Sequence, residues 1–584
     1  MKHHIAIKVA GPAGSGIKSI GLMLQKSFQR LGLFTFGYTE YPSLIRGGHN
    51  TFQVDVSVKP VNSSTQKIDI LLALNPESIS LHADELNKNG VIIADKSIVP
   101  ADTSLLKKQN IHLIDLNIKE ILEKNEIPLI MQNSLQLGVI MAICNLGLDS
   151  LYEAIDWTFE KKGDDVKNNN KKSASIGYTL VEGTSKDIDF SIIPPKTKKD
   201  TMVITANEAN GLGFIAGKGQ FYSAYPMTPS TNILHYLALH GPERGIVVRQ
   251  ASNEIEAIGV AMGASNGGVR AMVGTSGGGM DLMTEFISML GIAEIPLVII
   301  NAQRSGPATG LPTWQEQSDL NMAKYAGHGE YPRIVCAPGD PYEAYVMTQE
   351  CLNLADVYQI PVIMLTDKHV AESFYTTPKF PHPIPINRGK LIINEEDIKE
   401  KPFLRYSLDT PDGISPRTVP GLKGGIFLAS SDEHSQEGYS TEDGNVRIDQ
   451  QSKRLKKNEA IIKAINNFEY YGEKDADVLI ISWGSTKGAI IDSITELNED
   501  KSSKKFGFLQ IKYLFPLNYE KLSKLASKYK KVILVENNST GQLLPDLRLA
   551  GINPDSMALR FDGKPFFKDE LVDEIRNFKL TKGN

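Results

Sequence analysis

Arg304 comes shortly after an apolar run, Leu297 to Asn301, and opens the loop Ser305-Gly306-Pro307-Ala308-Thr309-Gly310-Leu311-Pro312-Thr313. A guanidinium at the carboxyl end of a strand, followed by proline and glycine, is placed to fork onto a carboxylate. Three other segments follow apolar runs in the same way. Tyr225-Pro226-Met227-Thr228-Pro229-Ser230 fixes its backbone with two prolines and presents the Thr228 hydroxyl just before a helix starting near Ser230, although a helix cap would use the same residue types. Arg249-Gln250-Ala251-Ser252-Asn253-Glu254-Ile255-Glu256 opens a helix whose small residues Gly259, Gly263 and Ala264 permit close packing of a second helix or a cofactor ring. A carboxylate in that first turn also compensates the helix dipole. Gly274-Thr275-Ser276-Gly277-Gly278-Gly279 is too glycine-rich for a mere turn and suits close approach of backbone to a flat ligand. Ligands of open α/β sheets lie beyond the carboxyl ends of the strands, so four such segments together point to a site.

A separate glycine loop, Gly11-Pro12-Ala13-Gly14-Ser15-Gly16, precedes helically spaced apolar residues Ile17, Ile20, Leu24, Phe28 and Leu31. Its N–H groups, the helix dipole and Lys18 could hold a phosphate. The spacing is G-x-x-G-x-G, out of register with the dinucleotide pattern, despite an acid at Glu40. Downstream, Arg46-Gly47-Gly48-His49 sets a cation beside flexible backbone and suits an anionic group.

These residues need a scaffold of parallel strands. Runs at Ile5 to Val9, Ile68 to Ala73, Val91 to Ala94 and Ile111 to Leu116 alternate with helical patterns and predict a first α/β domain with a parallel sheet, residues 1–165. Lys161 to Lys172, rich in lysine, aspartate and asparagine, and Pro194-Pro195 mark a solvated linker, set at 166–200. A second α/β domain, 201–375, carries the four loops on strands Phe221 to Ala224, Gly245 to Val248, Ala271 to Val273, Leu297 to Asn301 and Val362 to Leu365. Residues 376–470 lack apolar periodicity and read as long loops or an arm over a neighbour. A third α/β unit, 471–584, has strands at Val478 to Ser482, Phe506 to Ile511 and Val532 to Glu536. Ile127 to Leu148, broken by Gln132, Asn133, Ser134 and Gln136, is too interrupted for a membrane span and reads as a buried helix capped by Asn133.

The chain's 584 residues suggest about four domains. With 41% hydrophobic and 22% charged residues and a net charge of −5, it is an ordinary globular protein rather than a disordered chain, a membrane protein or a general nucleic-acid coat. Cys144, Cys336 and Cys351 are too few for a disulfide framework, a zinc site or a four-cysteine cluster. The N-terminus reads as a strand, not a signal peptide, so a cytoplasmic protein is expected.

The string Tyr225-Pro226-Met227-Thr228-Pro229-Ser230, the helix after Glu254, Thr275 to Gly279 and Arg304 to Gly310 resemble the alpha subunit of the 2-oxoacid:ferredoxin oxidoreductases. Gly11 to Gly16 and Tyr41 through Arg46-Gly47-Gly48 are similar to the family's gamma domain, here fused ahead of alpha. Ile511-Lys512-Tyr513-Leu514-Phe515-Pro516-Leu517 and Val535-Glu536-Asn537-Asn538 before Gly541-Gln542 are similar to the alpha subunit's second domain. The resemblance implies three α/β domains: gamma-like, thiamine pyrimidine-binding and transketolase C-terminal-like. It implies thiamine diphosphate-dependent oxidative decarboxylation of a 2-oxoacid, 2-oxoglutarate or pyruvate, with the acyl group passed to coenzyme A and electrons to ferredoxin. On the family pattern Glu254, with Glu256 in reserve, would hold the pyrimidine ring, beside Thr275, Ser276, Gly277 and Gly278. Arg304 would pair with the substrate carboxylate and Thr228 with its oxygens, flanked by Tyr225 and Pro226. Gly11, Gly14, Gly16 and Arg46 would meet coenzyme A. The chain has no Gly-Asp-Gly motif for magnesium and diphosphate and no cysteine set for a cluster, so magnesium and a 4Fe-4S cluster are expected in a beta subunit, in an α2β2 assembly. The competing reading is a non-catalytic nucleotide- or acyl-CoA-binding protein. Metal-dependent hydrolysis is weaker, since the 11 histidines form no His-Glu-x-x-His pattern and Asp432-Glu433-His434 reads as a solvated loop.

Overall fold

The computed structural model describes residues 2–44, 47–100, 110–182, 188, 190–399, 402–500 and 504–578. Its three sheets are mixed α/β and largely parallel. The first holds eight strands in the order His112–Leu116, Leu86–Asp95, Ile68–Ala73, His4–Pro12, His49–Ser57, Phe34–Glu40, Phe374–Pro378 and Thr201–Ile204. Its first four strands are parallel, as their apolar runs predict. The other four are antiparallel, which corrects the expectation of a wholly parallel sheet. Of these, His49–Ser57 escaped because it buries polar groups: Asp55 accepts from Gln53 and Thr65 inside the sheet. Two strands of this sheet, Thr201–Ile204 and Phe374–Pro378, come from either end of the second unit, so one sheet joins both units.

The second sheet runs Tyr513–Phe515, Ile334–Cys336, Pro361–Asp367, Leu297–Gln303, Ala271–Thr275, Phe221–Ala224 and Val247–Gln250. Only Tyr513–Phe515 is antiparallel. Every residue of Leu297–Gln303 and Pro361–Asp367 is buried, as central parallel strands covered on both faces require. Val247–Gln250, two residues later than expected, is a mostly exposed edge strand. The chain passes from Phe221–Ala224 outward to Val247–Gln250, then returns to the other side as Ala271–Thr275. That reversal makes a crevice at the carboxyl ends of Phe221–Ala224 and Ala271–Thr275. The third sheet, Phe468–Gly472, Phe506–Ile511, Val478–Ser482, Lys531–Glu536 and Ser556–Leu559, packs into the same core as the second through Trp483, Leu514 and Leu517.

Two expectations fail where polar residues are buried. The linker at 166–200 instead begins as part of an 18-residue helix, Asp164–Val181. It packs on the helix Gln132–Ile143 through small and polar residues, Asn170, Ser173, Ala174 and Gly177. A Cβ at Gly138 would sit 1.9 Å from the Ala174 carbonyl and one at Gly177 1.9 Å from that of Leu135, so the backbones touch and no apolar stripe announces the helix. Asn133 does not cap its helix; it lies inside the first turn and its Nδ2 donates to the Ser15 carbonyl at 3.1 Å.

The segment 376–470 includes a 21-residue helix, Gly444–Ala464, and lies on the chain's own second unit. Lys453 and Lys457 of that helix meet Glu294 at 2.6 and 2.5 Å, and Arg405 donates to the Glu294 carbonyl at 2.8 Å. Asp356 likewise gathers Arg270, Arg388 and Arg417 within 2.9 Å. Asp432-Glu433-His434 is not a solvated loop: His434 is buried, its ring centroid 3.9 Å from that of Tyr406, and Glu433 pairs with the buried Arg454. Burial opposes the Glu294 charge, but Lys453, Lys457 and Arg405 outweigh it and hold the carboxyl well below its usual range. A depressed folded value contributes stability above the unfolded pKa of about 4.3, lost as pH falls below it. Glu294→Gln is therefore expected to cost about 3–5 kcal/mol at neutral pH, because it leaves buried cations unpaired. Denaturant midpoints should show the deficit shrinking below pH ~4, where the carboxylate becomes protonated in the unfolded chain while it stays ionised in the folded one.

Among the described residues no single helix is long and apolar enough to cross a membrane.

Candidate functional site

Four adjacent strands of the second sheet deliver the four loops to one edge. Glu254 is the first residue of the helix Glu254–Asn266, after Asn253 caps that helix by accepting from the Glu256 N–H at 2.8 Å. Glu256 is engaged by its own turn: it accepts from the Ser252 N–H and hydroxyl, both at 2.6 Å, and from Arg249 at 3.0 Å. Glu254 is only 4% exposed, yet among the described residues its Oε1 has no partner. A buried carboxylate oxygen without a hydrogen bond is costly and calls for a donor from elsewhere.

The glycine run 277–279 is not an open loop. It forms the first turn of a 16-residue helix, Gly277–Ile292, with Ser276 at the N-cap. The Ser276 hydroxyl is buried, makes no cap bond and has no partner among the described residues. Glycine is needed at 279 by the approach of the neighbouring helix: a Cβ there would lie 2.1 Å from Thr275 Oγ1, 2.7 Å from Glu254 Cγ and 2.9 Å from Glu254 Oε1. Thr275 and Glu254 thus share one buried spot, beside the first turn of that helix.

Arg304 and Thr228 meet, through the backbone rather than the threonine hydroxyl. Arg304 Nη1 donates to the Thr228 carbonyl at 2.9 Å, while its Nε is buried and unpartnered. Burial lowers the guanidinium pKa, and the fields of Asp319 and Glu254 partly restore it. Tyr225 is 39% exposed, at the rim.

The residue missing from the sequence reading is Asp319. Its Oδ2 accepts from Asn301 Nδ2 at 2.9 Å, its N–H donates to Gln303 Oε1 at 2.9 Å, and a Cβ on Gly277 would be 2.9 Å from Oδ2. Burial pushes its carboxyl up to about 6, against the pull of Asn301 and Arg304. In the sequence it is one more acid before a short helix, Leu320–Tyr325, and looks like a cap; its side chain makes no cap bond.

In the first unit, Gly14 and Gly16 take φ of +90° and +84° and lead into the helix Ile17–Arg30. Gly11 is buried, with the Leu74 side chain 2.8 Å from where its Cβ would stand, so it does not present backbone to a ligand. Arg46 lies outside the described residues. The start of that helix and the Thr228 loop face each other across a cleft of about 700 Å³, lined by Lys18, Tyr41, Thr228, His235, Tyr236 and Glu372 among others.

Three family models match successive parts of the chain. "Pyruvate ferredoxin/flavodoxin oxidoreductase" matches residues 6–180, "Pyruvate flavodoxin/ferredoxin oxidoreductase, thiamine diP-bdg" matches 213–453, and "Pyruvate:ferredoxin oxidoreductase core domain II" matches 476–564. The chain is 34% identical to the 2-oxoacid:ferredoxin oxidoreductase subunit alpha of Sulfolobus sp, over 97% of this chain and 96% of that one. It is 26% identical to 2-oxoglutarate oxidoreductase subunit KorA of Mycobacterium tuberculosis, over 98% of this chain and 91% of the relative. Among solved structures, the 2-oxoglutarate:ferredoxin oxidoreductase of Magnetococcus marinus, with 2-oxoglutarate, coenzyme A and succinyl-CoA bound, superposes with a TM-score of 0.91 at 31% identity, covering 99% of each chain. Likeness of this extent leaves no room for a non-catalytic nucleotide- or acyl-CoA-binding protein.

Proposed function

Because the chain belongs to the 2-oxoacid:ferredoxin oxidoreductases, as an alpha subunit that works with a beta subunit, we propose that it carries the pyrimidine and substrate sites for coenzyme A-dependent oxidative decarboxylation of a 2-oxoacid, with 2-oxoglutarate favoured over pyruvate. One observation carries this reading: the Arg304 guanidinium, anchored on the Thr228 carbonyl with its Nε unpartnered among the described residues, stands at the same sheet edge as the buried Glu254 carboxylate and feels its charge. A site built from a fixed cation and a buried acid suits an anionic substrate beside a ring cofactor. The preference for 2-oxoglutarate rests on the substrate named for two relatives.

The residues present fit thiamine diphosphate. Glu254 Oε1 and the Ser276 hydroxyl are buried polar atoms without partners among the described residues, and only glycine at 279 lets Thr275 and Glu254 approach each other as closely as they do. When bound, thiamine diphosphate supplies the carbanion chemistry that decarboxylation of a 2-oxoacid needs. Glu254 would hold a proton against a ring nitrogen. Arg304 would orient the 2-oxoacid by donating Nε to its carboxylate, and the Thr228 hydroxyl would hold an oxygen beside it. The field of Asp319 would favour the charged guanidinium. The cleft between Lys18 and Thr228 suits coenzyme A, with Gly14 and Gly16, and Arg46 on the strength of its sequence alone, as candidates for its phosphates. Magnesium and the 4Fe-4S cluster are assigned to the beta subunit, in an α2β2 assembly that passes electrons to ferredoxin.

The test is viologen reduction by this chain co-expressed with its beta subunit, supplied with thiamine diphosphate, coenzyme A and either 2-oxoglutarate or pyruvate. Reduction is expected with both, kcat/KM being higher for 2-oxoglutarate. A complex that binds thiamine diphosphate but reduces no dye with any 2-oxoacid would sink the reading.

A further inference from the structure

Tyr41 stands where the first unit meets the catalytic edge of the second. It follows the strand Phe34–Glu40, which pairs with Phe374–Pro378. Its backbone carbonyl accepts the Thr313 hydroxyl at 2.7 Å, and its phenol donates to both oxygens of Glu372, at 3.0 and 2.8 Å. Both partners sit on segments that leave the second sheet's carboxyl edge. Thr313, 5% exposed, ends the loop that Arg304 opens. Glu372 ends the short helix Lys368–Glu372, directly after the strand Pro361–Asp367.

The Arg304 loop is closed on itself, so a restraint at its end is felt at its start. Ser305 bridges Leu311, with the Leu311 N–H donating to the Ser305 carbonyl at 3.0 Å, and the Ser305 N–H donates to the Trp314 carbonyl at 3.3 Å. The Ser305 hydroxyl is tied to Glu316 at 2.5 Å. Thr313 and Arg304 are therefore the two flanks of one small ring of hydrogen bonds. Tyr41 is as firmly held on its own side. The buried Lys368 donates to the Thr39 carbonyl and lies 5.5 Å from the Tyr41 ring centroid and 4.8 Å from that of Tyr38.

We propose that Tyr41 is a positioning residue of the 2-oxoacid site: clamped by Glu372, it fixes Thr313 and, through the closed loop, the guanidinium of Arg304. The first unit thereby sets the affinity for the substrate carboxylate without touching the substrate. This rests on the reading that Arg304 holds that carboxylate.

The experiment uses the complex with the beta subunit and measures kcat and the KM for 2-oxoglutarate and for coenzyme A in Tyr41→Phe, Thr313→Val, their combination, Thr313→Ser and Arg304→Ala, with Tm for each. Tyr41→Phe loses only the bond to Glu372, and Thr313→Val only the bond to the Tyr41 carbonyl. Each is expected to raise the 2-oxoglutarate KM about tenfold, since small displacements of an orienting group are costly, with kcat within about twofold of wild type, and Thr313→Val, at a residue that does not line the coenzyme A cleft, should also leave the coenzyme A KM within about twofold. The combination should cost no more than the worse single change, as members of one chain of contacts are not additive, and Thr313→Ser should restore the wild-type KM. An unchanged 2-oxoglutarate KM in Tyr41→Phe, multiplying effects in the combination, or an equal rise in both KM values with a fallen Tm would each overturn the proposal. If Arg304→Ala raises the 2-oxoglutarate KM while Tyr41→Phe does not, only the role of Tyr41 falls. If Arg304→Ala leaves that KM unchanged, the reading of the site falls with it.

Discussion

Replacing Glu254 by glutamine is expected to lower kcat for viologen reduction by about 10²–10⁴-fold, the range that a positioned acid or base usually contributes. Glutamine keeps the volume and polarity of the side chain while removing its ability to hold a proton on a ring nitrogen. The substitution should not unfold the chain. Glu254 Oε1 is buried without a partner, so the wild type carries a desolvated carboxylate that a neutral amide relieves. Tm without cofactor is expected to stay level or rise, the usual trade between a strained site and stability. Steady-state rates and thermal melts of the same preparation decide the matter. A variant that keeps more than about a tenth of the wild-type kcat leaves Glu254 outside the proton chemistry. A variant that loses both activity and Tm shows that the carboxylate is structural.

The second large effect concerns Arg304. Arg304→Ala is expected to lower kcat/KM for the 2-oxoacid by roughly 10²–10³-fold, equivalent to about 3–4 kcal/mol, within the 2–5 kcal/mol typical of losing one partner of a desolvated charge pair. Arg304→Lys should recover only part of this, since an ammonium keeps the charge but cannot span both the Thr228 carbonyl and a substrate carboxylate with one planar fork. The coenzyme A KM should hardly move in either variant. A rise confined to the coenzyme A KM would instead assign Arg304 to the cleft beside Lys18.

Much of the scaffold was legible in the chain. Central parallel strands are covered on both faces and therefore read as continuous apolar runs, which is why Val478–Ser482 and Phe506–Ile511 have the bounds their sequence predicts. The elements that escaped are those with polar insides. Asp164–Val181 turns asparagine, serine and glycine toward its partner, Gly444–Ala464 buries Lys453, Arg454 and Lys457, and His49–Ser57 buries Gln53 and Asp55. Hydrophobic periodicity is blind to such faces, because their buried polar groups are satisfied by hydrogen bonds and ion pairs, several of them to residues far along the chain, and leave no apolar stripe.

The same division runs through the site. Residue type and position after a strand were enough to single out Thr228, Glu254, the Thr275–Gly279 run and Arg304, because parallel sheets send every such loop to the same edge. Which of their atoms meet was decided only by the fold. Tertiary contacts turned the Thr228 carbonyl toward Arg304, bound Glu256 into its own turn while leaving Glu254 unpartnered, and brought in Asp319. Tyr41 and Glu372 are 331 positions apart. A hydrogen bond between such residues imposes no period or spacing on the sequence, so it becomes visible only when the shared sheet has placed the two units side by side.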